Sequence, residues 1–216
     1  MAAQIERRSA EEAQDTRERI LTAALEAFSE RGFDGATTRD IAQRADVNLG
    51  LIQYYFEGKQ NLWRASVERA FTELGAGLEA ILGDPDVADD DERARRVLRG
   101  FVRFVARRPA FVRIMHDEGK RDGERMRWLV DHQVRDFYET IGALMKGRRD
   151  RGLLPEGTDL LSLHYILIGA LTLLFQQAEE CKYMTGIDPT DPAMVDAHTR
   201  TLELLLLGPP REESPQ

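Results

Sequence analysis

Three side chains near the end of the stretch "VNLGLIQYYFEGK" (47–59), Tyr54, Tyr55 and Lys59, combine two phenolic hydroxyls with an ammonium group. Such groups suit the oxygens of an anion, above all beside a helix N-terminus, whose unpaired N–H groups already favour negative charge. Arg39, upstream, carries the planar fork that meets a phosphate or pairs bidentately with a guanine edge. Other chemistry is thinly supplied. His132 and Asp136 lie one helical turn apart and could ligate a metal, but a third ligand is missing. The run "DPDVADDDE" (84–92) carries six acids without a second Asp-rich motif, so it reads as a solvated linker feeding charge into a helix start. His116, Asp117 and Glu118 form the cluster of imidazole and acids where a polar ligand anchor would be sought. No Ser/His/Asp or Cys/His arrangement has catalytic logic, so neither an enzyme nor a bound metal or cofactor is expected. Cys181 reads as a packed or exposed thiol.

The elements that must position these groups all read as helices, since no segment alternates apolar and polar residues long enough for a sheet. Ile20, Leu21, Ala24, Leu25 and Phe28 make one stripe of a helix over 16–31, with Gly32 where a left-handed cap residue belongs. "TTRD" (37–40) is a helix start: Thr37 accepts from backbone donors while Asp40 sits in the first turn. A short helix over 38–45 follows, then a second over 49–56 capped by Asn48, then a long one from Lys59 to about Leu82. Downstream, helices are expected at 90–107, 109–116, 122–150, 158–182 and 191–207, with the acidic run as the clearest compositional boundary.

In the 49–56 helix, Ile52 and Phe56 are one turn apart and form the inward stripe. At about 100° per residue, Gly50 and Tyr54 then point the opposite way, with Leu51 and Gln53 on the flanks. A glycine on an outward face costs about 1 kcal/mol of helix propensity, which suggests a use: close approach of something large. Two short capped helices joined by a tight turn match a helix-turn-helix, whose second helix enters the DNA major groove. A compact three-helix subdomain with merely exposed tyrosines fits the same spacing.

Composition bounds the choice. The 216 residues carry a formal charge of −8, against coating nucleic acid through bulk charge. Residues 1–64 alone hold nine Lys/Arg and eleven Asp/Glu, so a DNA-reading surface must rest on placement. The longest apolar run, "YILIGALTLLF" (165–175), is about half of the roughly 20 residues that span a bilayer, so no membrane is expected. No secretory signal opens the chain, and one cysteine allows no internal disulfide, which fits the cytoplasm.

The segment "TRERILTAALEAFSERGFDGATTRDIAQRADVNLGLIQYYFEGKQNLWRASV" (16–67) resembles the DNA-binding domain of the TetR/AcrR family of bacterial transcriptional regulators. The likeness rests on Ile-Leu-x-Ala-Ala, on Phe28 and Gly32, on Thr-Thr-x-x-Ile-Ala at 37–42 and on Tyr-Phe-x-x-Lys at 55–59. It implies contacts to an operator from Thr38, Arg39, Asn48, Leu49, Gly50, Leu51, Gln53, Tyr54, Tyr55 and Lys59, with Val47, Ile52 and Phe56 in the core. Three positions depart from the family pattern. Asp46 replaces a turn glycine, though aspartate tolerates left-handed backbone. Gln53 replaces a tyrosine and offers an amide that could pair with adenine. Leu49 and Leu51 replace polar residues, which shifts readout toward thymine methyls.

The resemblance further implies an all-α homodimer that binds a palindromic double-stranded operator and answers to a small-molecule inducer. It divides the chain into an arm (1–15), the head (16–64), a larger helical ligand-binding and dimerisation domain (65–208) and a disordered tail (209–216). The segments 160–180 and 194–208 are apolar almost all round, as helices buried by their own domain and a partner would be. Leu161, His164, Ile168, Leu171 and Phe175 of the first, with Val195, His198, Leu202 and Leu206 of the second, are the expected interface. Phe104, Phe111, Met115, His116, Trp128, Phe137, Phe175 and Gln176 are the expected pocket. The function implied is a ligand-responsive repressor. The alternative is a helical interaction protein that keeps the head without specific DNA binding.

Overall fold

The computed structural model describes residues 1–87 and 89–209, leaving aside the side chains of residues 2–9. The expected tail falls almost wholly outside the described residues. Among those described, helices are the regular elements and no strand occurs. They are α1 (Ala2–Gly35), α2 (Thr38–Arg44), α3 (Leu49–Phe56), α4 (Lys59–Leu82), α5 (Asp90–Arg107), α6 (Pro109–Gly119), α7 (Glu124–Leu129), α8 (Arg135–Asp150), α9 (Leu160–Gln176), α10 (Ala178–Thr185) and α11 (Pro192–Leu207). The chain forms two compact units, Met1–Thr72 with Arg113–Asp122, and Glu73–Val112 with the chain from Gly123 onward. The acidic run 84–92 therefore lies inside the second unit.

In the first unit, α1 leaves helical geometry at Gly32, whose φ of 68° is the left-handed value expected there. Helix α1 begins at Ala2, well before the 16–31 span that periodicity marks, because polar residues at a helix start leave no stripe to read. Ile20, Leu21, Ala24 and Phe28 of α1, with Ile41, Ile52, Phe56, Leu62, Trp63 and Val67, are among the buried core residues of this unit, all nearly free of solvent. Phe33 stacks on Phe28 and meets the Trp63 ring edge-on. Arg19 donates to the Ala45 carbonyl at 3.1 Å, tying α1 to the end of α2. Polar links add to this: Arg44 meets Glu30 at 2.7 Å and Asp40 at 3.3 Å, and Arg31 meets Asp40 at 3.0 Å. The hydrogen bond from Arg44 holds the Glu30 carboxyl below its ordinary pKa.

In the second unit, α5 packs against α9 and α11. The acidic run is not a free linker. Asp89 caps α5 by accepting from the Glu92 amide at 2.9 Å, Asp84 meets Arg96 at 2.8 Å, Asp90 meets Arg151 at 3.1 Å, and Asp91 meets the buried Arg148 at 2.7 Å. The run does feed acidic charge into the start of α5, as expected, but guanidinium groups rather than solvent alone take up Asp84, Asp90 and Asp91. Two further expectations change. The helix over 122–150 contains a wider π-helical turn at Val130–Val134, between α7 and α8. The helix over 158–182 breaks at Gln177, where ψ of 30° ends α9 and turns α10 through 61°. Neither glycine nor proline marks that break. No single helix among the described residues is long and apolar enough to cross a membrane.

Candidate functional site

Helix α3 is framed by two side-chain caps and two left-handed residues. Thr37 accepts the Asp40 amide at 3.1 Å and starts α2. Asp46, at φ 52°, adopts the left-handed turn that its place in the motif requires. Asn48 then accepts the Gly50 amide at 2.8 Å and starts α3. The helix stops at Glu57, φ 60°, whose N–H returns to the Gln53 carbonyl at 3.0 Å. The helix thus spans the expected 49–56, and its left-handed stop falls on Glu57 rather than on a glycine, the residue that takes φ > 0 without steric cost.

With Ile52 and Phe56 buried, the opposite face of α3 is open. Tyr54 is 77% exposed and Leu49 43%, and Gly50 and Gln53 are exposed beside them. Leu51 and Tyr55 are half-buried, so Leu49 is the leucine most available to a base methyl. The Tyr54 and Tyr55 rings meet edge to face at 5.1 Å, which steadies both. Val47, expected in the core, is only half-buried. Gln53 donates from Nε2 to the Glu57 carbonyl at 3.2 Å, leaving its second amide hydrogen and its oxygen for a partner. Arg39 and Asn48 are exposed and Thr38 half-buried beside them. Arg39 has no acceptor among the described residues.

Lys59 has partners within the chain as well. Its ammonium donates to the Asp34 carbonyl at 3.2 Å and sits 4.6 Å from the centre of the Phe33 ring. It clamps the end of α1 to the start of α4, and a phosphate would have to be shared with that role. The motif alone does not reveal this, because Asp34 offers its backbone.

The second unit contains a cavity of about 270 Å³. Phe104 and Phe137, two of the expected ligand residues, line it. The other six do not. Phe111 packs edge-on against Phe104 at 5.5 Å, Trp128 stacks on His132, Phe175 is buried against His198, and Gln176 reaches Thr172. Met115 and His116 belong to the first unit. The rest of the lining comes mainly from α4, as Glu73, Leu74, Gly77, Leu78 and Ile81, and from α5, as Val97, Gly100, Phe101, Arg103 and Arg107, with Ile141 of α8. A methyl on Gly100 would stand 2.9 Å from Ile81 Cδ1, so glycine there lets the two helices close one wall. Such a signal, glycine inside an otherwise regular helix, was visible in the sequence.

Burial also re-sorts the expected interface. Leu171, Phe175, Val195 and Leu202 are covered within the chain itself, and His164, Ile168, His198 and Leu206 are half-buried. Of the expected set, Leu161 alone is exposed, at 54%. The open apolar side chains of these two helices are Leu161, Tyr165, Ile166 and Leu173 on α9, and Leu204 and Leu205 on α11. An all-round apolar helix hides its orientation, so periodicity could not choose between the two faces.

Residues 20–65 match the family of bacterial regulatory proteins named tetR, and residues 91–203 match the tetracyclin repressor-like C-terminal domain. The HTH-type transcriptional repressor NicS of Pseudomonas putida is 34% identical over 77% of this chain and 78% of its own. Among solved structures, AibR in complex with isovaleryl coenzyme A and operator DNA aligns with a TM-score of 0.71 over 90% of this chain and 99% of its own, at 17% identity. The fatty acid degradation regulator FadR from Bacillus halodurans aligns at 0.65 over 90% and 99%, at 18% identity. At such identities the structural likeness speaks for the fold.

Proposed function

The chain belongs to the TetR family of bacterial regulatory proteins, and on that premise we propose that it is a cytoplasmic homodimeric repressor released from a palindromic operator by a small molecule. The observation that carries the reading is the outward face of α3, where Leu49, Gly50, Gln53 and Tyr54 stand exposed on a helix fastened from beneath by Ile52 and Phe56. Small and polar groups at its start let the backbone near base edges, while Arg39 and Tyr54 reach the phosphates. In this reading the head is 16–64 and the effector and dimerisation domain 65–208. Two copies pair through the open faces of α9 and α11, because a two-fold dimer presents two reading helices to successive major grooves.

The cavity is the inducer site. Helix α4 runs unbroken from the head unit into the cavity wall, so it is the element through which the ligand acts. An inducer releases DNA to the extent that it binds better to the head spacing that does not fit the operator. Selection of genomic DNA fragments on the purified chain tests the reading. A shared palindrome should emerge, and Tyr54→Ala with Arg39→Ala should abolish its retention. Recovery of fragments with no common sequence would sink the reading in favour of an interaction protein.

A further inference from the structure

We propose that the ligand of the cavity in the second unit is a compact organic acid, an apolar body ending in a carboxylate whose charge is taken by Arg103 and Arg107. The proposal rests on the reading of that cavity as the inducer site.

The arginines along α5 fall into two sets. Arg93 donates to the Leu82 and Val87 carbonyls, and Arg95 to the Gly208 carbonyl at 2.8 Å. Arg96 and Arg99 meet carboxylates of Asp84, Glu92 and Glu203, and Arg108, just past the helix, meets Glu73. Arg103 and Arg107 have no acceptor among the described residues. They are one turn apart, both exposed, and both line the cavity, so their charge stands at its open edge. Like charges one turn apart on a helix repel, and an anion shared between them removes that repulsion. The acid of the lining, Glu73, is already neutralised by Arg108 through contacts of 3.0 and 2.9 Å, so the lining is net positive.

Behind the arginines the wall is hydrocarbon, including Leu78, Phe101, Phe137 and Ile141, with the Phe101 and Phe137 rings 5.8 Å apart. A cavity of about 270 Å³ is below the roughly 300–1,000 Å³ common for small-molecule sites, which selects a short-chain, branched or single-ring body. Guanidinium groups pair with carboxylates by charge-assisted hydrogen bonds, about twice as strong as neutral ones. A neutral analogue of the same shape keeps the hydrophobic contact and loses that term.

Calorimetric titration of the full chain with octanoate and 3-phenylpropanoate, their primary amides, and the coenzyme A thioester of 3-phenylpropanoic acid tests this. At least one acid should bind about tenfold or more tighter than its amide. Arg103→Gln and Arg107→Gln should each weaken that acid by about ten- to a hundredfold and leave the amide unchanged. Gly77→Ala has room for its methyl, with nothing within 4 Å, and should weaken acid and amide alike by narrowing the cavity. The proposal is overturned by an amide that binds as well as its acid, by a thioester that binds better, by arginine variants that keep acid affinity, or by no heat from either acid. Retention on selected operator DNA is read in parallel. A neutral amide that releases DNA overturns the anion and leaves the regulator standing, whereas no DNA retention without ligand removes the reading beneath it.

Discussion

The Asn48 side-chain oxygen accepts the Gly50 amide at 2.8 Å, and a methyl placed on Gly50 would stand 3.2 Å from that same oxygen. The cap that starts α3 and the glycine that clears its outward face are therefore one device. Asn48→Ala should cost about 1 kcal/mol of stability, read as a lower urea midpoint. Gly50→Ala gains helix propensity but presses on the cap and places a methyl toward DNA. It should lower operator affinity with little change in the urea midpoint; a variant that binds as well as the parent would separate the two roles.

Arg39 and Lys59, both expected at phosphates, should behave differently. Arg39→Ala removes an unpaired surface charge from each protomer, so the melting temperature stays and the slope of log affinity against log salt shrinks by about 1.8 for the dimer. Lys59→Ala also removes the bond to Asp34 and the charge over Phe33, the latter contact being worth about 0.5–1 kcal/mol, so its melting temperature falls. Equal melting temperatures would show that the clamp carries no stability.

The two faces of α9 are separable by charge. Tyr165→Glu, at a residue 69% exposed, should yield folded monomers in sedimentation experiments, and Leu205→Glu, at 76%, should do the same. Leu171→Glu should unfold the protomer instead, because it leaves a charge in a covered site. Dimers that persist in both exposed-face variants would place the interface elsewhere.

Acid should weaken the second unit through histidine. Burial holds the His198 imidazole below its ordinary 6.5, partly offset by its bond to the Ala170 carbonyl, and burial does the same to His164. The unfolded chain takes up protons first, so stability is full above pH 6.5 and declines as pH falls through 6.5 toward the folded-state values. Urea midpoints on either side of that pH should differ, and His198→Gln should narrow the difference.

Asp91 answers the buried Arg148 at 2.7 Å. Asp91→Ala should destabilise by about 3–5 kcal/mol, because it strands a buried cation. A drop under about 1 kcal/mol, as for a surface pair, would show that water reaches the guanidinium.

The head was legible because its signals are local. Thr37 and Asn48 are caps that act within three residues, Gly32 and Asp46 take left-handed backbone, and Ile52 with Phe56 define a stripe one turn long. The second unit was less so. Phe111, Trp128 and Phe175 are as aromatic as Phe104 and Phe137, and only the arrangement of residues from α4, α5 and α8 around the void decides which rings line it. Leu171 and Leu173 differ by two positions on an apolar helix, and one is covered while the other is bare. Gln177 breaks its helix without a residue that demands it. The Lys59 clamp was hidden for another reason: its acceptor is a main-chain carbonyl, which every residue possesses.

The bond from Gln53 to the Glu57 carbonyl gives the reading helix a side chain whose rotamer is chosen before DNA arrives. A free glutamine loses up to about 2 kcal/mol of rotational entropy when it is immobilised, and part of that loss is already incurred in the folded protein. In the proposed reading, where Gln53 meets the operator, the same bond makes position 53 answer to two demands at once. A substitution that retunes the preferred operator there also changes how the helix terminates, so drift in sequence preference at this site is coupled to the local shape of the reader itself.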